Sequence, residues 1–155
     1  MLPRWHILFG AIFAILVWLL FKVSFQGAVL IFFASVFFDF DHYLIYAYHK
    51  RKIGLFGVLK YYDKIGKREM EWVREKTGQK SHIQIFHTVE FHLLVLILAF
   101  YFPILYFILI GMVFHSLLDV VWLTYHGAMS LRWFFFSEWI FVKRSLRRKF
   151  YIRHF

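Results

Sequence analysis

The sequence predicts an all-α integral membrane protein with four transmembrane helices, a helical cytoplasmic loop and an interfacial C-terminal helix. Three observations predict it. Hydrophobic residues are 61% of the 155, with 22 Phe, whereas a soluble domain is nearer half apolar. The apolar residues collect in four runs near the ~20 residues that a helix needs to cross a hydrocarbon core. The 19 basic residues are divided unequally among the segments between those runs.

The first run, 7–25, follows Arg4 and resembles a signal peptide in its basic start. No small-x-small pattern follows it; the chain continues Phe21-Lys22-Val23-Ser24-Phe25, so an uncleaved anchor is expected. A joint at Gln26-Gly27 leads to the second run, 28–48. The third, 83–101, and the fourth, 103–125, meet at Phe102-Pro103. Proline is tolerated at a helix start, where its missing N–H costs nothing, and joints this short predict antiparallel neighbours. Residues 49–82 form the long loop. Within it, Gly54–Ile65 mixes apolar and basic residues as a surface-lying segment does, and Arg68–Lys76 reads as a short charged helix. In the tail, 128–155, Leu131–Val142 is aromatic but carries Arg132 and Glu138. It reads as an interfacial helix, with a fifth span as the alternative. Two Pro, eight Gly and no internal repeat leave a single transmembrane domain, 1–155.

Basic residues set the orientation. Ten lie in the long loop, seven between Arg132 and Arg153, and Arg4 precedes the first span; Lys22 alone falls on the other side. The positive-inside rule then makes both termini and the loop cytoplasmic in a multi-pass protein of the cell membrane. The net charge of +10 is thereby assigned to membrane flanks. Nucleic acid is not an expected partner; membrane lipid is, with anionic head groups at the basic loop and tail.

Four of the nine acidic residues, Asp39, Asp41, Glu90 and Asp119, fall within predicted spans, as do His42, His87, His92 and His115. A charge near the bilayer centre costs about 2.5–3.5 kcal/mol on insertion scales, so these carboxylates need partners, and a cation is an economical one. Asp39 and His42, His87 and Glu90, and His115 and Asp119 are spaced three or four apart, which places each pair on one helical face. Asp41 lies off the Asp39 face and needs a local helix break or a flanking position. At 1.5 Å per residue, Asp39–His42, His87 and Asp119 all lie roughly 8–14 Å in from the cytoplasmic ends of their spans. His6 can reach that level, and His82 lies at the interface. With no Cys, any transition metal must be held by His, Asp or Glu, a set apt for zinc, manganese or iron. A polar network that packs helices without metal is the simpler reading of the same residues.

The ordered motifs resemble those of the membrane-bound metal-dependent hydrolases of the YdjM type. They are His6 with Gly10; Phe38-Asp39-Phe40-Asp41-His42, with Phe where that family has Pro; His82-Ile-Gln-Ile-Phe-His87-Thr88, with Ile83 where the family has Arg; and His115-Ser-Leu-Leu-Asp119 followed by Gly127. A looser likeness is to zinc-dependent phospholipase C and P1-type nucleases. The resemblance implies one to three divalent ions, zinc first with manganese or iron as alternatives. The metal ligands it implies are His6, Asp39, Asp41, His42, His82, His87, His115 and Asp119. It also implies metal-dependent hydrolysis, for which the membrane setting suggests an ester or phosphoester of a lipid-like substrate. In such an enzyme Asp41 or Glu90 accepts the proton of the attacking water, with Glu90 standing equally as a ligand or as an outer acceptor for His87. Any phosphate contact of the absent Arg is lost or moved, with one of the basic loop residues as its substitute. A metal or proton transporter and a non-catalytic adaptor are the rival classes.

Overall fold

The computed structural model describes residues 3–143, and no strand occurs among them. The helices are α1 (Pro3–Phe21), α2 (Phe25–Phe37), α3 (Phe40–Lys50), α4 (Leu55–Arg74), α5 (Val89–Tyr101) and α6 (Leu105–Tyr125), with 3₁₀ turns at Ile85–His87 and Met129–Leu131 and a helical run over 136–143. Arg4–Phe21, Phe25–Tyr48 and Leu105–Tyr125 are long and apolar enough to cross a membrane.

The surface supports that assignment. Leu19, Leu20, Phe21, Phe100 and Tyr101 are among many large apolar side chains left exposed, while His6, Asp41, His87, His115, Asp119 and Arg132 are buried. Apolar outside and polar inside is the arrangement that lipid, not water, favours. The chain is read as a membrane protein on this ground.

Helix α2 is central. Its Ile31 packs with Ala14 and Val17 of α1 and with Phe107 of α6, and Phe38, just beyond its end, packs with Val95 of α5 and Met112 of α6. Small residues bring these helices close. A Cβ on Gly111 would strike the Ile31 carbonyl oxygen and come within 2.7 Å of Ala34 Cβ, and one on Gly10 would strike Ser35 Oγ. The first motif's glycine thus lets α1 touch α2 beside the polar cluster.

Three local features differ from the sequence expectation. The α1–α2 joint falls at residues 22–24, ahead of Gln26-Gly27, because Ser24 Oγ accepts from Gly27 N at 3.1 Å and caps α2. The second run is broken at Phe38-Asp39, which supplies the break that Asp41 requires. The third run is α-helical only from Val89. Residues 85–87 form a 3₁₀ turn, Thr88 is extended, and Val89 N donates to Phe134 O at 2.9 Å. At 13 residues α5 is about 20 Å long, short of a ~30 Å core.

In the loop, the surface segment and the short charged helix are one helix, α4, with Ile65 buried and Lys60, Lys64, Lys67 and Arg68 exposed. The loop's end is tied to the segment after α6. Ser81 N donates to Leu131 O, Trp133 Nε1 donates to Ser81 O, and Lys80 pairs with Glu138 at 2.9 Å. The interfacial helix expected over Leu131–Val142 begins at 136. The basic tail expected to meet lipid head groups, with Arg144, Arg147, Arg148, Lys149 and Arg153, lies outside the described residues.

Candidate metal centre

The break in the second run places Asp39 in the turn and Asp41 in the first turn of α3. The 3₁₀ turn before α5 presents His87. One face of α6 presents His115 and Asp119, four residues apart and both buried. These elements converge on one point. His87 Nε2 and His115 Nε2 are 3.1 Å apart. Asp39 Oδ1 lies 3.3 Å from each, and Asp119 Oδ2 lies 3.6 Å from each.

Four-coordinate zinc with bonds of about 2.0–2.1 Å separates its ligand atoms by about 3.3–3.4 Å. The five distances span that value, and the donor set could hold a metal ion. Asp39, His87, His115 and Asp119 make up this group, and Asp39, Asp41 and His42 make up a second that shares Asp39.

The outward ring nitrogens favour the same reading. His115 Nδ1 donates to the Ser35 carbonyl at 2.7 Å, which fixes the tautomer and leaves Nε2 a lone pair. His87 Nδ1 lies 3.4 Å from Asp41 Oδ2, and neither of these atoms has a hydrogen-bond partner. A proton on His87 Nδ1 suits that carboxylate and makes Nε2 a second lone pair. Two imidazole lone pairs and two carboxylate oxygens, all acceptors, then face one another.

His42 Nδ1 is 2.8 Å from Asp41 Oδ1 and 3.5 Å from Asp39 Oδ1, and its Nε2 accepts from Gln84 Nε2 at 2.9 Å. His6 is 1% exposed and stacks on His115, centroids 3.9 Å apart. Its Nε2 is 3.3 Å from Asp119 Oδ1, and neither ring nitrogen has a hydrogen-bond partner. His82 is exposed and is in neither donor group.

Glu90 lies elsewhere. Its carboxylate accepts from Phe136 N at 2.9 Å, Ser137 N at 3.0 Å and Ser137 Oγ at 2.8 Å, capping the helical run 136–143. The helical face expected for His87 and Glu90 does not form, because the chain is extended at Thr88 between them. His92 bonds Thr88 O and Ser116 Oγ at 2.9 and 3.2 Å.

Sequence reasoning missed four contributors. Arg132 is buried, with Nη1 3.1 Å from Asp119 Oδ2; an arginine between Leu131 and Trp133 was the available signal. Gln84, the Ser35 carbonyl and Tyr62 left none. The Tyr62 ring lies 4.6 Å from that of His42. Burial, reinforced by the charge of Asp41, pushes its phenol above the usual range. On the same helix, burial also raises Glu69, which Ser81 Oγ opposes by donating to it.

Comparison with known proteins finds no family model, no curated protein and no solved structure that matches this chain.

Proposed function

We propose that this protein is a metal-dependent membrane hydrolase that cleaves an ester or phosphoester of an amphiphile. The observation that carries the proposal is the convergence of His87, His115, Asp39 and Asp119 at tetrahedral-ligand spacing inside an apolar bundle. The ordered motifs that resemble the YdjM-type hydrolases support it. Four spans are part of the reading, with α5 and the residues before it as the third, and both termini and α4 on the cytoplasmic side. Zinc suits two imidazoles and two carboxylates in this geometry.

A divalent ion held there supplies Lewis acidity and makes water nucleophilic near neutral pH. Asp39 is the most exposed of its four ligands, with 31% of its side chain accessible, so water reaches the site on the Asp39–His42 side. Of the two carboxylates suited to proton transfer, Asp41 is favoured. It belongs to the cluster, beside His42 and His87, whereas Glu90 lies elsewhere with both oxygens engaged by 136 and 137. Asp41 takes a proton from water as the water oxygen bonds to the phosphorus or carbonyl carbon. That proton passes to the departing alkoxide as the ester bond breaks.

A metal or proton path across the membrane is the rival. It needs charged or polar groups in the far halves of the helices, and Leu93–Tyr101 and Leu105–Gly111 hold no charged residue.

Elemental analysis of purified protein tests the proposal, with His115→Ala and Asp39→Ala alongside. At least one ion per unmutated chain, lost in both variants, followed by hydrolysis on a panel of phospholipids and soluble phosphoesters, is the expected result. Less than one ion per chain overturns it. Bound metal with no hydrolysis but uptake into liposomes favours the rival.

A further inference from the structure

We propose that the groove between α5 and α6 holds the hydrocarbon chain of the substrate, and that Arg132 takes an anionic oxygen of its phosphorylated head group. The reaction rests on the hydrolase reading above; the binding does not.

The groove encloses about 340 Å³, at the small end of the range of about 300–1,000 Å³ for ligand sites. Its walls include Leu93 and Leu96 of α5 and Leu109, Val113, Leu117 and Val120 of α6. Leu93, Val113 and Leu117 are 51%, 42% and 57% exposed, so the groove opens sideways out of the bundle, where the surrounding medium is lipid. An aliphatic wall of this kind has no use for a soluble phosphate. It suits a chain entering from the bilayer.

The polar lining identifies the head group. It consists of His87, His92, Ser116 and Arg132. His92 and Ser116 are bonded to each other, and His87 belongs to the metal cluster. Arg132 is 9% exposed. Its Nη1 is held by Asp119, while Nη2 is buried without a partner. A buried cationic donor left unmatched is costly, and a guanidinium fork matches a phosphate. A phosphate carries several anionic oxygens, so one can meet Arg132 while another faces the cluster that Arg132 and His87 adjoin through Asp119.

Equilibrium binding of dodecyl phosphate to the full chain in maltoside micelles tests the assignment, with inorganic phosphate and dodecanol as comparators and metal content measured on the same samples. Dodecyl phosphate is expected to bind about tenfold or more tighter than either comparator. Val113→Trp fills the groove from a lipid-facing position and is expected to weaken it about tenfold without changing metal content. Arg132→Gln is expected to remove its advantage over dodecanol, and Arg132→Lys to restore part of it. Equal binding of dodecanol and dodecyl phosphate, or no effect of Val113→Trp, overturns the proposal. Metal-loaded protein with no preference sinks the groove and leaves the hydrolase. Metal-free protein with the full preference sinks the hydrolase and leaves the groove.

Discussion

His87 Nε2 faces His115 Nε2 across 3.1 Å in a buried site. A proton on His87 Nε2 could join the two rings, but it would turn the bare Nδ1 toward the Asp41 carboxylate, 3.4 Å away. A shared cation satisfies both nitrogens and both neighbouring carboxylates, and this pair yields the sharpest prediction. His115→Ala lowers metal affinity by more than the ~10–100-fold typical of an outer partner of a ligand. Asp41→Asn, which changes such a partner of His87, falls within that range. His92→Ala, whose ring bonds Thr88 and Ser116, leaves metal content unchanged. Metal titration of the three variants checks this; loss of metal in the His92 variant would show that the ligand set is misassigned.

Glu90 provides a contrast. Its carboxylate closes the N-terminus of the helical run 136–143 from another element. Glu90→Ala is therefore expected to destabilise that run by about 0.5–2 kcal/mol, as loss of a helix cap does, with metal content intact. Proteolytic nicking near 136 and a metal assay on one sample check it. A variant as resistant as the parent but unable to bind metal or hydrolyse substrate would return Glu90 to the site.

Much of the cluster was legible because membranes make it so. Carboxylates and histidines inside apolar runs are too costly to be incidental, and this drew attention to Asp39, Asp41, His42, His87, His115 and Asp119. What periodicity could not give was backbone irregularity. The spacing of His87 and Glu90 reads as one helical face, yet Thr88 is extended and sends them to different partners. Asp41 raised the opposite problem, and the break at Phe38-Asp39 that answers it has no Pro or Gly to mark it. Arg132, Gln84 and the Ser35 carbonyl were hidden because their roles depend on tertiary contacts 13 to 80 residues distant in sequence.

Glu69 links the loop to the core through Ser81. Burial raises its folded pKa above the ordinary carboxylate value, so folding takes up a proton there. Its contribution is fully present below the unfolded pKa and is lost as pH rises through the folded one. Attachment of α4 should therefore weaken from mildly acidic pH toward neutrality and then level off. Glu69→Gln should flatten the profile. Hydrogen exchange of α4 against pH checks this, and an exchange rate in the parent that ignores pH across that window, intrinsic chemistry corrected, would refute it.

Orientation is open to a direct test because the chain has no Cys. Gln79 and Phe102 are exposed, in the long loop and in the α5–α6 joint. A membrane-impermeant thiol reagent should label Gln79→Cys only from the cytoplasmic side and Phe102→Cys only from the opposite side. Labelling of both from one side would mean that α5 and the residues before it do not cross, leaving three spans.

Gly111 sets the separation of α2 from α6, and thus of the Ser35 carbonyl from His115 and of Asp39 from Asp119. A Cβ at 111 would meet the Ile31 carbonyl and Ala34, which are backbone and a short side chain that cannot swing aside. Gly111→Ala should force the helices apart, at a cost of about 1–3 kcal/mol by the usual scale of overpacking. The larger consequence is geometric: opening the α2–α6 contact lengthens the 3.3 Å approach of His115 to Asp39, and tetrahedral ligation tolerates little of that. The variant should melt earlier in detergent and bind metal more weakly, whereas Gly66→Ala, whose added carbon meets nothing within 4 Å, should do neither. If Gly111→Ala melts earlier but binds metal as tightly as the parent, the site does not depend on close approach of α2 and α6.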